Sequence, residues 1–487
     1  MMRAPSLLSG ALLALALPGC AAAGPDYAPP RNTAAQVPSA QGRFLSAQGP
    51  AFESEALPDR WWHLYEDPRL DALIRQALSA NADLREADAN LRRADALVRE
   101  AAGQRALSTT ASANVGIERD YSPDSAATNL PGVATYGLGL SLSYPLDLKG
   151  KLRRAIEASE ADREAVEAAR DAVRVSVAAS TARAYAGVCA TNYQIATVEK
   201  VIALQQETLN ATQRLQKGGR GTAFDVSRAR TAVETSKASL PALVAARRTG
   251  LYLLATLLGR PPADYPREVE SCATLPRLAR AMPVGDGAAL IRRRPDIRQA
   301  ERMIAADTAR IGVAMADLYP QVSIGGGLLS SGKVADIGSS HSFGFSLGPL
   351  LSWSFPNRPV VKARIDAASA QTEADLARFD SVVLEALRGT ETALETYARG
   401  RERTEALRKA AASAQVSADQ AGTLFRFGRS DFLSLLSAQS ALATAKVNYA
   451  AAQSELIDQQ IAVFLTLGGG WQGADIDSIP RSAAAVR

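Results

Sequence analysis

Large apolar and small residues alternate along residues 136–144, which read YGLGLSLSY. In an extended strand the glycines and serines lie on one face and the apolar residues on the other. That apolar face carries Tyr136, Leu138, Leu140, Leu142 and Tyr144. The pattern is typical of a soluble sheet with one buried face and also of a strand that crosses a membrane. Successive steps of roughly 3.3 Å place the two tyrosines about 26 Å apart, close to the roughly 25 Å apolar band of a membrane barrel.

A longer and more aromatic copy of this pattern occupies residues 343–355, FGFSLGPLLSWSF. Its apolar face carries Phe343, Phe345, Leu347, Leu351, Trp353 and Phe355. A weaker strand pattern precedes each copy, at residues 109–117 and 322–328, and polar loops join the members of each pair. The sequence therefore predicts two β-hairpins.

Helical periodicity surrounds both hairpins. Before the first hairpin, Asp67 and Pro68 provide a cap and a first helical residue, and the apolar stripe continues to Val98. After the hairpins, no proline lies between Pro145 and Pro241 or between Pro359 and Pro480. These intervals are rich in alanine, glutamate, arginine and leucine, which indicates long helices packed as coiled coils. A helix from 152 to 215 would measure about 95 Å. A helical stalk without a pore would explain these stretches equally well.

The chain repeats itself with an offset near 210 residues. Glycines at 218–219 and at 428 interrupt the two long helical stretches, and a returning helix follows each of them. We expect a signal peptide at 1–19, an extended lipid-anchored segment at 20–60, two repeats at 61–265 and 266–470, and a C-terminal tail at 471–487. Each repeat is expected to contribute a helix, a hairpin, a long helix and a shorter returning helix.

The N-terminus has the pattern of an export signal. Arg3 precedes an apolar run over residues 7–17, and the run is followed by Pro18-Gly19-Cys20, which resembles a bacterial lipobox. On that resemblance, Cys20 is the lipidated first residue of the mature chain and carries acyl groups such as palmitate. An ordinary signal peptide with an incidental cysteine is the alternative. Ala21 follows where aspartate would indicate retention at the inner membrane, so we expect sorting to the outer membrane.

Membrane crossing by a helix is not expected, because no segment after residue 20 approaches 18 consecutive apolar residues. A chain that crosses a membrane without such a helix must do so in a closed barrel. Four strands are too few to close one, so several copies would share it. Two copies would give eight strands and a filled interior, whereas three would give twelve and leave room for a channel.

Catalytic and metal-binding chemistry has little support in the sequence. His63 and His341 are the only histidines and stand apart, so we expect packing or surface roles, no metal site, no cofactor and no enzyme activity. Cys189 and Cys272 are expected to be buried small apolar residues, with a disulfide between them as the alternative. The net charge of +5 comes from interleaved charges of both signs, which does not indicate nucleic-acid binding.

Several motifs together resemble the lipoprotein branch, often labelled NodT, of the TolC-type outer membrane factors of tripartite efflux systems. They are Gly24-Pro25-Asp26-Tyr27, Trp61-Trp62 with Asp67-Pro68, Arg294-Pro295-Asp296-Ile297 with Ala300-Glu301, and Leu467-Gly468-Gly469-Gly470-Trp471. The resemblance implies an α + β membrane protein: a homotrimer whose twelve-stranded outer-membrane β-barrel, four strands per chain, continues into a periplasmic helical barrel. It also implies docking to a periplasmic adaptor and an inner-membrane pump, usually of the resistance-nodulation-division class.

On this resemblance the chain would be the passive exit duct for drugs or small molecules, anchored in outer-membrane lipid. The alternative is a lipid-anchored helical structural or adaptor lipoprotein without a pore, and the strands distinguish the two. If the chain is a channel, the apolar strand faces meet lipid and the glycine and serine faces line the lumen.

The resemblance also implies a periplasmic gate at residues 425–437. Relatives commonly carry aspartates just after the glycine, and Ser434 and Ser437 occupy the matching positions here. An acidic, cation-sensitive constriction is therefore in doubt, although Asp431 lies nearby and Leu433 is suited to an apolar ring. Alternatively, Arg429 and Asp431 belong to an ordinary exposed turn between helices.

Overall fold

The computed structural model describes residues 22–118 and 132–471. Within these ranges the helices are α1 (Pro38–Gln41), α2 (Pro68–Ala80), α3 (Ala82–Gly103), α4 (Lys151–Lys217), α5 (Ala223–Lys237), α6 (Leu240–Leu257), α7 (Arg267–Glu270), α8 (Gly287–Arg293), α9 (Pro295–Ala316), α10 (Arg358–Arg426) and α11 (Phe432–Thr466). The strands are β1 (Phe52–Glu53), β2 (Ser108–Glu118), β3 (Val133–Leu146), β4 (Met282–Pro283), β5 (Gln321–Lys333) and β6 (Phe343–Ser352). Short 3₁₀ turns, among them Trp61–Tyr65, complete the secondary structure.

The chain forms two compact units, and each collects segments from both sequence repeats. The first comprises the described parts of residues 1–30, 90–167 and 299–379, and the second those of 31–89, 168–298 and 380–487. The repeats predicted at 61–265 and 266–470 therefore describe the order of elements along the chain, whereas each compact unit draws on both.

The first unit contains a four-stranded antiparallel sheet in the order β2-β3-β5-β6. The two predicted hairpins, β2 with β3 and β5 with β6, are present. The pairing of β3 with β5 joins them, and in its register Leu140 lies opposite Leu328. One continuous sheet therefore combines strands from both repeats.

Two strand boundaries differ from the prediction. The strand β5 was expected to end near Leu328 but runs to Lys333, and β6 was expected to reach Phe355 but ends at Ser352. Ser352 pairs with Gln321, and the next residue of the neighbouring strand is Pro320. Because proline has no backbone N–H to donate, the ladder stops there and Trp353 lies beyond the strand.

The second unit is built around an aromatic core. Trp61 is fully buried and stacks on Phe464 of α11 with ring centroids 4.7 Å apart. Glycine at 469 lets the chain lie close to this core, because a Cβ there would lie 2.5 Å from a methyl group of Leu57 and 3.1 Å from Cδ1 of Trp61. The tryptophan motif and the terminal glycine motif therefore pack against each other.

The first helices begin as predicted, with one difference. Asp67 caps α2 by accepting hydrogen bonds from the backbone N–H groups of Arg69 and Leu70. The stripe was expected to continue without a break, but α2 ends at Ala80. The side chain of Asn81 then accepts a hydrogen bond from the Leu84 N–H and starts α3. Asparagine competes for backbone donors in this way, which favours a cap over a helix interior.

The two long helices predicted from composition are present, with 67 residues in α4 and 69 in α10. Each ends at a glycine in the left-handed region, Gly219 with φ 72° and Gly428 with φ 68°. In both turns the residue after the glycine donates its N–H to a carbonyl five residues back, as Arg429 does to Leu424. This C-terminal hydrogen-bond pattern requires positive φ, which glycine adopts without steric cost.

The expectation that the two cysteines pack as free apolar residues was wrong. Cys189 and Cys272 are both buried, as predicted, but they form a disulfide across a sequence separation of 83 residues. The bond ties the middle of α4 to the connector after α7. An oxidising compartment is consistent with the export signal.

Within the described parts of the chain, no helix combines the length and the apolar composition needed to cross a bilayer.

Candidate functional site

One face of the sheet carries nearly all of its large apolar side chains. Directly paired residues of neighbouring strands point to the same side of a sheet, so each register row can be assigned to a face. One such row runs through Ala111, Leu140, Leu328 and Phe345. The same face also carries Val115, Leu138, Leu142, Tyr144, Ile324, Phe343, Leu347 and Leu351.

These side chains are exposed within one chain, with 41% of Leu140 and 84% of Phe345 accessible. Exposed apolar area that is contiguous over four strands exceeds what a soluble monomer normally presents. The face therefore needs an apolar environment that the single chain does not supply.

The opposite face is lined by small residues. One of its rows runs through Thr110, Ser141, Gly327 and Ser346. A glycine run at 325–327 lies within β5. A Cβ on Gly325 would lie 2.4 Å from a methyl group of Leu350, which like Leu329 is a large apolar residue on this face of mostly small side chains. The sheet thus has one apolar face and one face on which water can contact small side chains and backbone.

Two residues assigned to the apolar face differ from the rest. Tyr136 is only 5% exposed, and its hydroxyl group lies 3.1 Å from the hydroxyl group of Ser330. Trp353 follows β6 and contacts Phe355, with ring centroids 5.3 Å apart. Tyr136 is thus held against β5, whereas the Trp353 and Phe355 rings stay exposed just outside the sheet.

The turn between α10 and α11 contains the residues of the predicted gate. Asp431 is the N-cap of α11, and its carboxylate accepts hydrogen bonds from the backbone N–H of Ser434 at 2.8 Å and from its hydroxyl group at 2.9 Å. The structure therefore brings Asp431 and Ser434 together. These hydrogen bonds stabilise the negative charge and lower the pKa of the Asp431 carboxyl below its ordinary value.

The remaining gate residues are exposed in the single chain. Leu433 is 52% exposed, and Ser437 lies one helical turn further along α11. Arg429 directly follows the glycine that ends α10 and is exposed as well. Phe432, by contrast, packs on the apolar cluster of Leu209, Val226, Ala229 and Val233. Phe432 attaches the start of α11 to its neighbours while Leu433 stays on the surface.

The first repeat contains an equivalent turn that sequence reasoning did not single out. Gly219 corresponds to Gly428, so the local offset between the two turns is 209 residues, within the offset near 210 expected from the sequence. With this offset, Thr222 corresponds to Asp431 and Asp225 corresponds to Ser434, so the hydroxyl and carboxylate groups exchange positions. Thr222 Oγ1 lies 2.7 Å from Asp225 Oδ2. Phe224, 66% exposed, corresponds to Leu433. The glycine φ angles identify this offset, and the sequence alone offered Gly218 and Gly219 equally.

The predicted lipidation site, Cys20, lies outside the described residues. The segment just after it is held by the first unit. Arg154 is buried and donates to the carbonyl oxygens of Ala23 and Gly24 and to the Asp26 carboxylate. Gly24 adopts φ +82°, and a Cβ there would lie 2.5 Å from Gly312. These contacts explain why the Gly-Pro-Asp-Tyr motif contains a glycine and an aspartate.

The histidines have surface positions. His63 is exposed and hydrogen-bonds to Asp71 at 2.8 Å, and His341 lies in an exposed turn before β6. Among residues 22–118 and 132–471, no group of His, Cys, Asp and Glu side chains is placed to hold a metal ion.

Comparison with known proteins extends these observations. The profile of the family described as outer membrane efflux protein matches residues 73–260 and 288–469, one segment in each repeat. The antibiotic efflux pump outer membrane protein ArpC of Pseudomonas putida is 30% identical over 484 residues, covering 96% of each chain. Nodulation protein T of Rhizobium leguminosarum bv. trifolii is 28% identical over 460 residues, covering 94% of this chain and 96% of the relative.

Solved structures agree with the sequence relatives. The outer-membrane channel OprN is 34% identical and superposes with a TM-score of 0.84, covering 92% of this chain and 99% of its own. The MtrE outer membrane channel of Neisseria gonorrhoeae shares the fold at 24% identity, with a TM-score of 0.78 over 92% of this chain and 98% of its own.

Proposed function

The chain belongs to the outer membrane efflux protein family, and from that premise we propose that its sheet supplies one third of a membrane channel with lipid outside and water inside. The protein is an outer-membrane efflux channel that extends into the periplasm, and it is not an enzyme.

The one-sided sheet is the observation that carries the assignment. A row such as Ala111, Leu140, Leu328 and Phe345 would face the acyl chains, and the row of Thr110, Ser141, Gly327 and Ser346 would face the lumen. Lipid can cover the exposed apolar side chains without burying unsatisfied polar groups, and the small side chains of the other face leave space in the lumen.

The sheet edges favour a trimer. Among the described residues, β2 and β6 each pair with one strand, so their outer backbone groups would need a second copy inside the bilayer. Three copies would pair β2 of one chain with β6 of the next and give twelve strands. An eight-stranded barrel from two copies would be filled by its own side chains.

The segment at residues 425–437, the turn between α10 and α11 with the adjoining helix ends, is proposed as the gate. Leu433 would form an apolar constriction of three leucines, and Ser437 would lie one turn from it on the same helix face. Because the Asp431 carboxylate is occupied by Ser434, it is less available to bind cations than a free carboxylate ring. Closure would therefore depend on packing more than on bound cations.

The partners are proposed at the level of class. The channel would receive its substrates, drugs or other small molecules, from a periplasmic adaptor and an inner-membrane pump of the resistance-nodulation-division class. The relatives named as components of antibiotic efflux pumps support this assembly. Crosslinking in the native envelope followed by co-purification tests it, and recovery of a different transporter class with the channel would refute the pump assignment.

Reconstitution in planar bilayers tests the channel itself. The full-length protein, purified in detergent as a trimer, is expected to insert and produce discrete conductance steps. A monomeric protein that never conducts would support the alternative of a structural lipoprotein without a pore.

A further inference from the structure

A cleft in the second unit lies outside both the membrane face and the gate. It has a volume of about 500 Å³ and lies between the connector at residues 275–281 and the helices α10 and α11. This volume falls within the range of small-molecule sites. Its floor is apolar and includes Leu275, Leu456 and Ile457.

The charged side chains of the cleft are all of one sign. Three arginines, Arg277, Arg280 and Arg401, line it, and the lining contains no carboxylate. Arg280 is neutralised by Glu55 at 2.8 Å. Arg277 and Arg401 form no ion pair with any residue in the described parts of the chain. Two uncompensated guanidinium groups beside an apolar floor are suited to an anion with an apolar body.

A chain of buried hydrogen bonds orients the hydroxyl group of Tyr397, which lines the cleft. Tyr65 donates its hydroxyl hydrogen to Oε1 of Gln460 at 3.3 Å, which orients the amide so that Nε2 donates to the Tyr397 hydroxyl oxygen at 3.5 Å. The Tyr397 hydrogen then has no acceptor among these partners. Tyr397 lines the cleft together with Arg401, four residues further along α10, so both donors lie on one helix face. Burial raises the pKa of Tyr397, which keeps its hydroxyl group protonated as a donor.

We propose that this cleft binds an amphiphilic carboxylate, with the carboxylate oxygens accepting hydrogen bonds from Tyr397 and Arg401 and the alkyl chain lying on Leu275, Leu456 and Ile457. Arg277 on the opposite wall contributes to the positive potential. The site is independent of the conduction path assigned above, because none of its residues belongs to the sheet or to the gate turn.

Calorimetric titration of octanoate into the trimer in lipid nanodiscs tests this proposal, with empty nanodiscs as the blank. Saturable binding at one site per chain is expected. Octanamide, which lacks the charge, and acetate, which lacks the alkyl chain, are each expected to bind at least about tenfold more weakly. Equal affinity for octanoate and octanamide, or no octanoate binding to the trimer, would overturn the proposal.

Variants locate the site. Arg401→Gln and Tyr397→Phe are each expected to weaken octanoate binding about tenfold. Arg399→Gln is the matched control, because Arg399 lies on the same helix, pairs with Glu395 and Glu402 and does not line the cleft. An Arg401→Gln protein that binds as tightly as Arg399→Gln would contradict the assignment. In crystals soaked with 8-bromooctanoate, the bromine anomalous peak should lie over Leu456, and a peak only elsewhere would also overturn it.

Discussion

At the scale of single residues, the residues that form the cap of α11 differ from the exposed leucine that is proposed to narrow the pore. Asp431 and Ser434 bond to each other and define where the helix begins. Leu433 stands between them with about half of its side chain exposed. Substituting Leu433 therefore tests the proposed gate while leaving the cap intact.

Leu433→Ala is expected to raise single-channel conductance, because it removes bulk from the proposed constriction of three leucines. The free energy of unfolding should change by less than about 0.5 kcal/mol, as for most surface substitutions. Phe224→Ala is the matched control, since Phe224 holds the equivalent position in the first repeat. If Leu433→Ala conducts like the wild type, or if only the control changes conductance, the gate is misassigned.

The conductance of the closed channel should not titrate between about pH 5 and 8. Hydrogen bonds from Ser434 lower the pKa of Asp431 from its ordinary value of 3.8. A carboxyl group whose pKa is lower in the folded protein than in the unfolded chain stabilises the fold at pH values above the unfolded-state pKa. That contribution is lost only as the pH falls through the lower pKa of the folded state. Bilayer recordings across this range check it, and a midpoint near pH 6 would implicate another group.

The disulfide between Cys189 and Cys272 could not be predicted from the sequence, because the spacing of two cysteines along the chain does not show whether their sulfur atoms are close in the fold. Replacing both Cys189 and Cys272 with alanine is expected to destabilise the second unit by up to about 4.5 kcal/mol, from the loop-closure entropy of the released chain. Denaturant unfolding measures the loss. Thiol labelling of the denatured, unreduced wild type should find neither of these cysteines reactive, and two reactive thiols would show that the bond does not form.

At the scale of elements, the alternation in β3 decides which side of the sheet can carry a charge. Leu140→Arg would place a guanidinium group in the acyl region at a cost of about 2 to 4 kcal/mol, so less trimer should assemble in membranes. Ser141→Arg is the matched control, because it changes the next residue of the same strand on the opposite face. Heat-resistant trimer on gels measures assembly, and equal loss for both variants would contradict the one-sided assignment.

The sequence predicted elements well where local chemistry defines them. The two long helices followed from proline-free, alanine-rich composition, and their approximate ends followed from the glycines at 218–219 and at 428. The C-terminal end of β6 could not be predicted in this way, because it depends on which residue of the neighbouring strand lies opposite Trp353. The break at Asn81 was missed since an asparagine within an apolar stripe is compatible with both a helix interior and a cap.

Candidate site residues were predictable to a similar degree. The strand pattern assigned the apolar residues of β3 and β6 to faces, but only the pairing of β3 with β5 places both sets on the same side of one sheet. Tyr136 could not be separated from Leu138 by pattern, because its burial depends on Ser330 from the other repeat. Phe224 required the local offset between the two turns.

At the scale of the whole molecule, duplication explains how a chain whose larger described sheet has only four strands belongs to a family of channels. Each repeat supplies one hairpin and one long helix, and the compact units combine segments of both. In the proposed trimer, the strand edges left open by one chain become the contacts with the next copy.

The most direct test of this account measures what surrounds each face of β3 in the assembled channel. Spin labels introduced at Leu140→Cys and Ser141→Cys in the bilayer-reconstituted trimer would be compared by paramagnetic power saturation. The account predicts that the label at 140 is relaxed mainly by oxygen dissolved in lipid and the label at 141 mainly by a water-soluble nickel complex. Equal access of both labels to the nickel complex, or the reverse preference, would contradict a sheet with lipid outside and water inside.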